Sequence, residues 1–326
     1  MKAITYHKYG PVDVLKLDEI TKPTPGDDEV LVEVHASAVN FGNLALVKGE
    51  PFIARFWSGL WAPKDKIPGG DVAGRVEAVG KNVTQFKPGD EIYGDISDCG
   101  FGAFAEFVSA PAKAFALKPA NMTFDEAAAV PQAALVALQG LRNEGQIQSG
   151  QKVLINGASS GNGTYAVQLA KAFGCQVTGV CSTKNLELVH SIGADHVIDY
   201  TREDFTQTSQ QYDLILAAMG DRSIFDYKRA LAPQGTYVMT GGSMKQIMQA
   251  NIIGSFLSKK NSQTFKSLYH RPSQDDLVYM KELIEAGKVK SVIDRKFPLA
   301  EAAEAFRYYE KGHSRGKVVI SIKNNK

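Results

Sequence analysis

The run Lys152-Val-Leu-Ile-Asn-Gly-Ala-Ser-Ser-Gly-Asn-Gly-Thr164 is where residue types and spacing best suit a chemical task. Residues 153–155 are a short apolar run entering a loop of Gly157, Ala158, Ser159, Ser160, Gly161, Asn162 and Gly163. Ala166, Leu169, Ala170 and Phe173 then recur at helical spacing, and Gly174 stands where a helix end favours a left-handed residue. Gln176-Val-Thr-Gly-Val180 reads as a second strand. Strand, small-residue loop, helix and strand together can seat a pyrophosphate on unpaired N–H groups at a helix N-terminus. A glycine-rich loop alone is as well explained as a tight turn. The further apolar runs 197–199, 213–217 and 236–240, spaced by helix-length gaps, shift the balance. They predict an α/β unit, a doubly wound parallel sheet with helices on both faces.

Aligned on G-x-G-x-x-G, the loop reads Ala158, Ser160 and Gly163, so a hydroxyl stands where a bare backbone is usual. Ser160 either donates to phosphate or holds the cofactor back, and donation is the favoured reading. Ala158, Ser159, Ser160, Gly161 and Asn162 are the expected pyrophosphate contacts. An NAD site places Asp or Glu after the second strand to accept from the ribose 2′-OH. Here Val180-Cys-Ser-Thr-Lys-Asn185 offers Ser182, Thr183 and Lys184, and the first carboxylate is Glu187. Those three are donors suited to a 2′-phosphate. Two hydrogen bonds to a charged group, at about 1.5–3 kcal/mol each, would favour NADPH over NADH by roughly 100-fold. The expected cofactor is NADP(H).

The rest of the chain bounds the problem. A length of 326 residues allows two domains with separate cores. A net charge of +2 supplies no strong field for nucleic acid. Met1-Lys-Ala-Ile-Thr-Tyr6 begins as an alternating strand rather than a secretory signal, and the apolar run 252–257 is far too short for a membrane span. Cys175 and Cys181 flank one predicted strand about 20 Å long, beyond disulfide reach. These features predict a cytoplasmic protein.

Before the nucleotide unit the pattern changes. Residues 15–19, 29–34, 72–79 and 104–108 read as short strands between turn signals such as Pro23-Thr-Pro-Gly26 and Lys87-Pro-Gly-Asp90. This predicts a compact β-barrel. After residue 290, a strand at 291–294, a helix at 300–310 and a strand at 317–321 would complete that barrel. The expected division is residues 1–123 with 291–326 in one domain and 124–290 in the other.

That order, together with Pro68-Gly-Gly-Asp-Val-Ala-Gly-Arg-Val-Glu-Ala-Val-Gly80, Phe86-Lys-Pro-Gly-Asp-Glu-Ile-Tyr-Gly94, Gly102-Ala-Phe-Ala-Glu-Phe-Val108, Ala127-Ala-Ala-Val-Pro131, Gly193-Ala-Asp-His-Val-Ile-Asp-Tyr200 and Arg315-Gly-Lys-Val-Val319, resembles a known family. It is similar to the zinc-independent, quinone oxidoreductase-like branch of the medium-chain dehydrogenase/reductase superfamily. The resemblance spans essentially the whole chain. It implies a GroES-like catalytic domain plus a Rossmann domain, an active site in the cleft between them, and a homodimer. Zinc members carry Cys-x-x-Asp, Gly-His-Glu and a later Cys; the matching segments here are Asn40-Phe-Gly-Asn43, Gly69-Gly-Asp71 and, approximately, Gln132. None of Asn40, Gly70 and Gln132 supplies a thiolate or imidazole, so no metal is expected.

Without a Lewis acid, hydride transfer to an already electrophilic quinone or α,β-unsaturated carbonyl remains feasible, with protein donors holding the carbonyl oxygen. Asn40 is the candidate catalytic residue, orienting substrate or nicotinamide, against the plainer reading of a loop Asn satisfying its own backbone. By resemblance, Tyr200 flanks adenine or ribose, although a strand-end aromatic is equally a core residue. Ala217 and Ala218 end the fourth strand, and Gly241 and Gly242 the fifth, near the nicotinamide ribose. Arg315 and Lys317 approach the cofactor or simply form a turn. The aromatic stretch Phe52-Ile-Ala-Arg-Phe-Trp-Ser-Gly-Leu-Trp61 reads either as a wall of an apolar substrate pocket or as a short helix on the barrel. The expected activity is NADPH-dependent reduction of a small apolar quinone or enone. The alternatives are a zinc-free ketone or aldehyde reductase, and an NADPH-binding structural or sensor protein with little turnover.

Overall fold

The computed structural model describes residues 1–52, 55–242, 246, 249–250, 254, 258 and 262–323, with the side chain of Trp57 outside that set. The apolar run 252–257 falls almost wholly outside it. The chain forms two compact units: residues 1–135, 271–286 and 291–326 make the first, and residues 136–270 and 287–290 the second.

In the first unit β1 (Lys2–Thr5) pairs with β2 (Lys16–Glu19). The main sheet contains β3 (Glu29–Val39), β4 (Asp71–Val79), β5 (Glu91–Asp95), β7 (Phe115–Leu117), β14 (Ile293–Pro298) and β15 (Lys317–Ser321). Its order is β14-β15-β3-β4-β5-β7, and β6 (Phe107–Pro111) also pairs with β3. Val30, Val32 and Val34 are buried with Val72, Val76, Ile92 and Phe115 in one core. A second core gathers Ile4, Tyr6, Val39, Val47, Phe104, Phe306, Val318 and Ile320. The C-terminal strand is thus built into the N-terminal sheet, because Val318 and Ile320 have apolar surface that only that core covers.

Two segments group with this unit although sequence pattern alone assigned them to the nucleotide domain. The helix Gln274–Glu285 is tied to it by Tyr93 Oη donating to Leu277 O at 2.6 Å and Gln274 Nε2 donating to Phe115 O at 2.5 Å. The helix Phe124–Ala128, capped by Thr123 accepting from Glu126 N–H, buries Phe124, Ala127 and Ala128. Helical periodicity identifies such segments without saying which core they serve.

The second unit is a six-stranded sheet of β8 (Lys152–Asn156), β9 (Gln176–Cys181), β10 (His196–Asp199), β11 (Tyr212–Ala217), β12 (Leu231–Met239) and β13 (Thr264–Ser267), ordered β10-β9-β8-β11-β12-β13. All five strand pairs are parallel. Strand order reverses on the two sides of β8, which makes its carboxyl end the switch point where such sheets bind ligands. The sheet's near-continuous apolar runs (Val153, Leu154 and Ile155 are wholly buried) reflect cover on both faces. Strand β13 has no counterpart in the sequence pattern, since only Phe265 of its four residues is buried.

Candidate functional site

At the carboxyl end of β8 the chain turns through residues 157–160 into the helix Gly161–Ala172. Gly157 has φ +83°, and a Cβ there would lie 2.8 Å from Met219 Cβ. A Cβ on Gly163 would lie 2.0 Å from Gly157 O, so the helix packs on its own entry loop. Ala158 is wholly buried and its N–H donates to Val180 O at 3.0 Å, tying the loop to β9. Ser160 is the N-cap residue: Oγ accepts from Gly163 N–H at 3.1 Å and donates to Asn162 Oδ1 at 3.0 Å. The hydroxyl expected to donate to phosphate is therefore used to start the helix. Among the described residues, the N–H groups of Ser159, Gly161 and Asn162 meet no acceptor. They are free donors at the positive end of a 12-residue helix.

The surroundings of the residues after β9 are set by parallel register. Asp199 lies opposite Cys181, which brings its carboxylate beside the residues following β9. Thr183 Oγ1 donates to Asp199 Oδ2 at 2.5 Å, and Thr201 Oγ1 donates to Oδ1 at 2.7 Å. The Thr183 bond, foremost, holds the Asp199 carboxyl below the usual range. Both threonine hydrogens point at that carboxylate, so Thr183, expected to donate to a 2′-phosphate, has no hydrogen left to give. Ser182 differs, because its Oγ accepts from Asn185 Nδ2 at 3.2 Å and keeps its own hydrogen. Lys184 is exposed, and Tyr200 presents a half-exposed ring at the end of β10.

The edge between β8 and β11 is a polar knot. Ala218 and Met219 N–H groups donate to Asn156 O at 3.0 and 3.1 Å. The Asn156 amide donates toward Met219 O (2.7 Å), Asp221 Oδ1 (2.9 Å) and Tyr227 Oη (2.8 Å). Ala217 and Ala218 are buried, and Gly241 N–H donates to Ala217 O at 3.1 Å. Gly242 has φ +145° and forms a bridge with Gly220. Asn156, Asn185 and Asp199 stand within segments quoted above for other residues; the parallel pairing of β8, β9 and β10 is the signal that singles them out.

Asn40, Arg315 and Lys317 belong to the first unit. The β15–β3 register pairs Val318 with Val39, so one step further Lys317 faces Asn40. Lys317 Nζ donates to Asn40 Oδ1 at 2.5 Å and lies 3.3 Å from Asp71 Oδ2. Asn40 Nδ2 donates to Asp71 Oδ2 at 2.9 Å, while Asp71 Oδ1 accepts from Gln132 N–H at 2.9 Å. Asp95, opposite Asp71 across β4–β5, is also wholly buried. Burial pushes the Asp71 carboxyl up and the Lys317 ammonium down, because each charge has left water. Lys317 is thus an internal partner of Asn40 and Asp71, 3% exposed. Asn43 is buried too, and its Oδ1 accepts from Asn40 N–H at 3.1 Å, fixing the strand-to-helix turn.

Arg315 is exposed, its N–H donating to Asp294 Oδ2 at 3.0 Å in the turn before β15. Phe52 and Phe56 form an edge-on pair 6.3 Å apart, and Trp61 is 90% exposed. Ile53, Ala54 and the Trp57 side chain lie outside the described residues. All three cysteines are free, and burial pushes the thiols up, Cys99 to about 12 and Cys181 to about 11. None is a thiolate nucleophile at neutral pH. Among the described residues no three His, Cys, Asp or Glu side chains cluster as metal ligands, and no helix is long and apolar enough to cross a membrane.

Comparison with known proteins agrees with this architecture. Residues 26–120 match the model of the alcohol dehydrogenase GroES-like domain, and residues 192–320 match that of the zinc-binding dehydrogenases. The chain is 36% identical to the 2-methylene-furan-3-one reductase of Solanum lycopersicum, over 98% of this chain and 79% of that one. It is 34% identical to an NADPH-dependent alkenal/one oxidoreductase of Arabidopsis thaliana, with the same coverage. The solved quinone oxidoreductase of Coxiella burnetii superposes with a TM-score of 0.88 at 30% identity, covering 99% of both chains. The chain belongs to the medium-chain dehydrogenase/reductase superfamily, in its quinone oxidoreductase-like branch.

Proposed function

We propose that the protein is an NADPH-dependent reductase of small apolar quinones or α,β-unsaturated carbonyls. The observation that carries this reading is a set of donors on the second unit with no acceptor among the described residues. It comprises the N–H groups of Ser159, Gly161 and Asn162, the Ser182 hydroxyl hydrogen and the Lys184 ammonium. Such a set fits a pyrophosphate and a 2′-phosphate, the two anionic parts of NADPH. Tyr200 offers a ring for adenine to stack on, and the backbone of Ala217, Ala218, Gly241 and Gly242 forms the edge for the nicotinamide half. The cofactor, when bound, supplies the hydride.

The protein's own part is to hold the acceptor carbonyl. The Asn40 amide has two N–H donors, and Asp71 takes one. The other is left for a substrate oxygen. Lys317 on the Asn40 oxygen draws charge from the amide nitrogen and strengthens that remaining donor. As hydride reaches a conjugated acceptor, negative charge grows on its oxygen, where a pre-positioned donor acts most strongly. The residues at the matching metal positions, Asn40, Gly70 and Gln132, are poor zinc ligands, so this polarised amide takes the electrophilic role in our reading. Both named plant relatives act on, or are named for, conjugated or alkylidene ketones and alkenals, which supports the substrate class.

Cofactor oxidation followed with quinones, enones and plain aldehydes tests the proposal. Turnover of the first two with NADPH is the expected result. Turnover of aldehydes alone would favour the carbonyl-reductase reading, and tight NADPH binding without turnover a sensor. A preference for NADH would overturn the cofactor assignment.

A further inference from the structure

One buried side chain links the two phosphate-facing ends of the nucleotide unit. Asn185 is 5% exposed, yet it lies just after the exposed residues Thr183 and Lys184. Its Nδ2 donates to Ser159 Oγ at 2.9 Å and to Ser182 Oγ at 3.2 Å. Ser159 belongs to the turn after β8, and Ser182 to the end of β9. One amide thus uses both its hydrogens on hydroxyls from the two ends of the proposed cofactor path. Its Oδ1 is buried and meets no partner. Leaving a buried acceptor unsatisfied costs about 1–3 kcal/mol. An arrangement kept at that cost points to what the donating end of the amide accomplishes.

We infer that Asn185 is a positioning residue that polarises Ser159 and Ser182 as phosphate donors; this rests on the NADPH reading above. A serine hydroxyl has one hydrogen and two lone pairs. With a lone pair of each oxygen accepting from Asn185, each hydrogen is turned away from the amide, toward an incoming anion. The contrast is immediate in Thr183 of the same loop and in Thr201 after β10. The hydrogens of Thr183 and Thr201 are bound to the Asp199 carboxylate, so those hydroxyls offer only lone pairs. Carboxylate behind a hydroxyl makes it an acceptor; amide N–H behind a hydroxyl makes it a donor. Asn185 and Asp199 therefore sort neighbouring hydroxyls into phosphate-binding and non-binding ones. Selectivity for the 2′-phosphate then comes from Ser182 and Lys184.

The test is a double-mutant cycle read by calorimetric NADPH binding to the full-length protein, with NADH beside it. Asn185→Ala is expected to weaken NADPH on the order of 10-fold in the wild-type background. In a Ser159→Ala/Ser182→Ala background the same change is expected to have almost no effect, because the hydroxyls it acts through are gone. A purely structural Asn185 would weaken binding equally in both backgrounds, and that result overturns the inference, as does an unchanged Asn185→Ala. If the alanine variant fails to fold, Asn185→Asp is nearly the same shape and reverses the polarity, since a carboxylate only accepts. Its NADPH affinity should fall on the order of 100-fold, and Ser159→Ala/Ser182→Ala should remove part of that loss. A loss wholly retained without the serines marks simple charge repulsion and overturns the inference. A wild type that ignores NADPH overturns the cofactor reading itself, and the inference with it.

Discussion

The two units treat polar side chains in opposite ways. In the first, buried Lys317 and Asp71 hold Asn40 by hydrogen bonds to both ends of its amide and leave one of its N–H groups over. In the second, the turn after β8 and the end of β9 leave N–H and hydroxyl hydrogens without partners. The first arrangement holds one amide rigid, and the second is the donor row that our proposal assigns to an anion. A buried charged cluster fixes geometry and is intolerant of losing a member; an open row of donors gives affinity and tolerates single losses.

The sharpest way to break the comparison is Lys317→Met. It leaves Asp71 buried without its cation, and we expect a loss of about 3–5 kcal/mol in chemical denaturation. The double variant Lys317→Met/Asp71→Leu should recover much of that loss, and a fully additive double variant would show the two charges to be independent. Asn40→Ala should lower kcat/KM on enones by roughly 100-fold, the usual scale for removing one donor to a developing oxyanion. Its NADPH affinity should stay as in wild type, so parallel losses in both would place Asn40 in cofactor binding instead. On the open side, Lys184→Ala should weaken NADPH by on the order of 10-fold and leave NADH unchanged, measured as the ratio of dissociation constants.

The smallest effect concerns acid. The folded Asp199 carboxyl lies below its ordinary value, chiefly through the Thr183 hydrogen bond. The folded state then binds fewer protons than the unfolded chain, so this contribution is present above the ordinary aspartate pKa of about 3.9 and fades as pH falls through the folded value. The difference in melting temperature between wild type and Asp199→Asn should accordingly shrink on acidification below about pH 4. A difference that stays constant across that range would remove Asp199 from the linkage.

Much of the scaffold was legible in local pattern. The run 153–155, the helical spacing after Gly163 and the strand 317–321 all appear where periodicity and turn residues put them. The strand expected at 104–108 lies instead at Phe107–Pro111, and Phe104 is a core residue bonded to Pro68 O and Ile4 N. Short apolar runs define burial better than they define register. The site was read less evenly. Ser182 keeps its hydroxyl hydrogen and Lys184 is exposed, while Ser160 and Thr183 have their hydrogens committed to Asn162 and Asp199. Residue type states which bonds a hydroxyl can make; a neighbour chosen by folding decides which one it makes.

The amino-acid sequence by itself determined the family, the α/β architecture with its GroES-like partner, and the places where glycine and small residues must stand, because those follow from periodicity and steric limits within short windows. Only the tertiary structure decided that Lys317 reaches Asn40 and Asp71 across separations of 277 and 246 residues, and that Asn185 joins Ser159 to Ser182. The physical reason is sheet pairing: strand register brings remote residues within hydrogen-bond distance, and no local pattern encodes which hydrogen then points where.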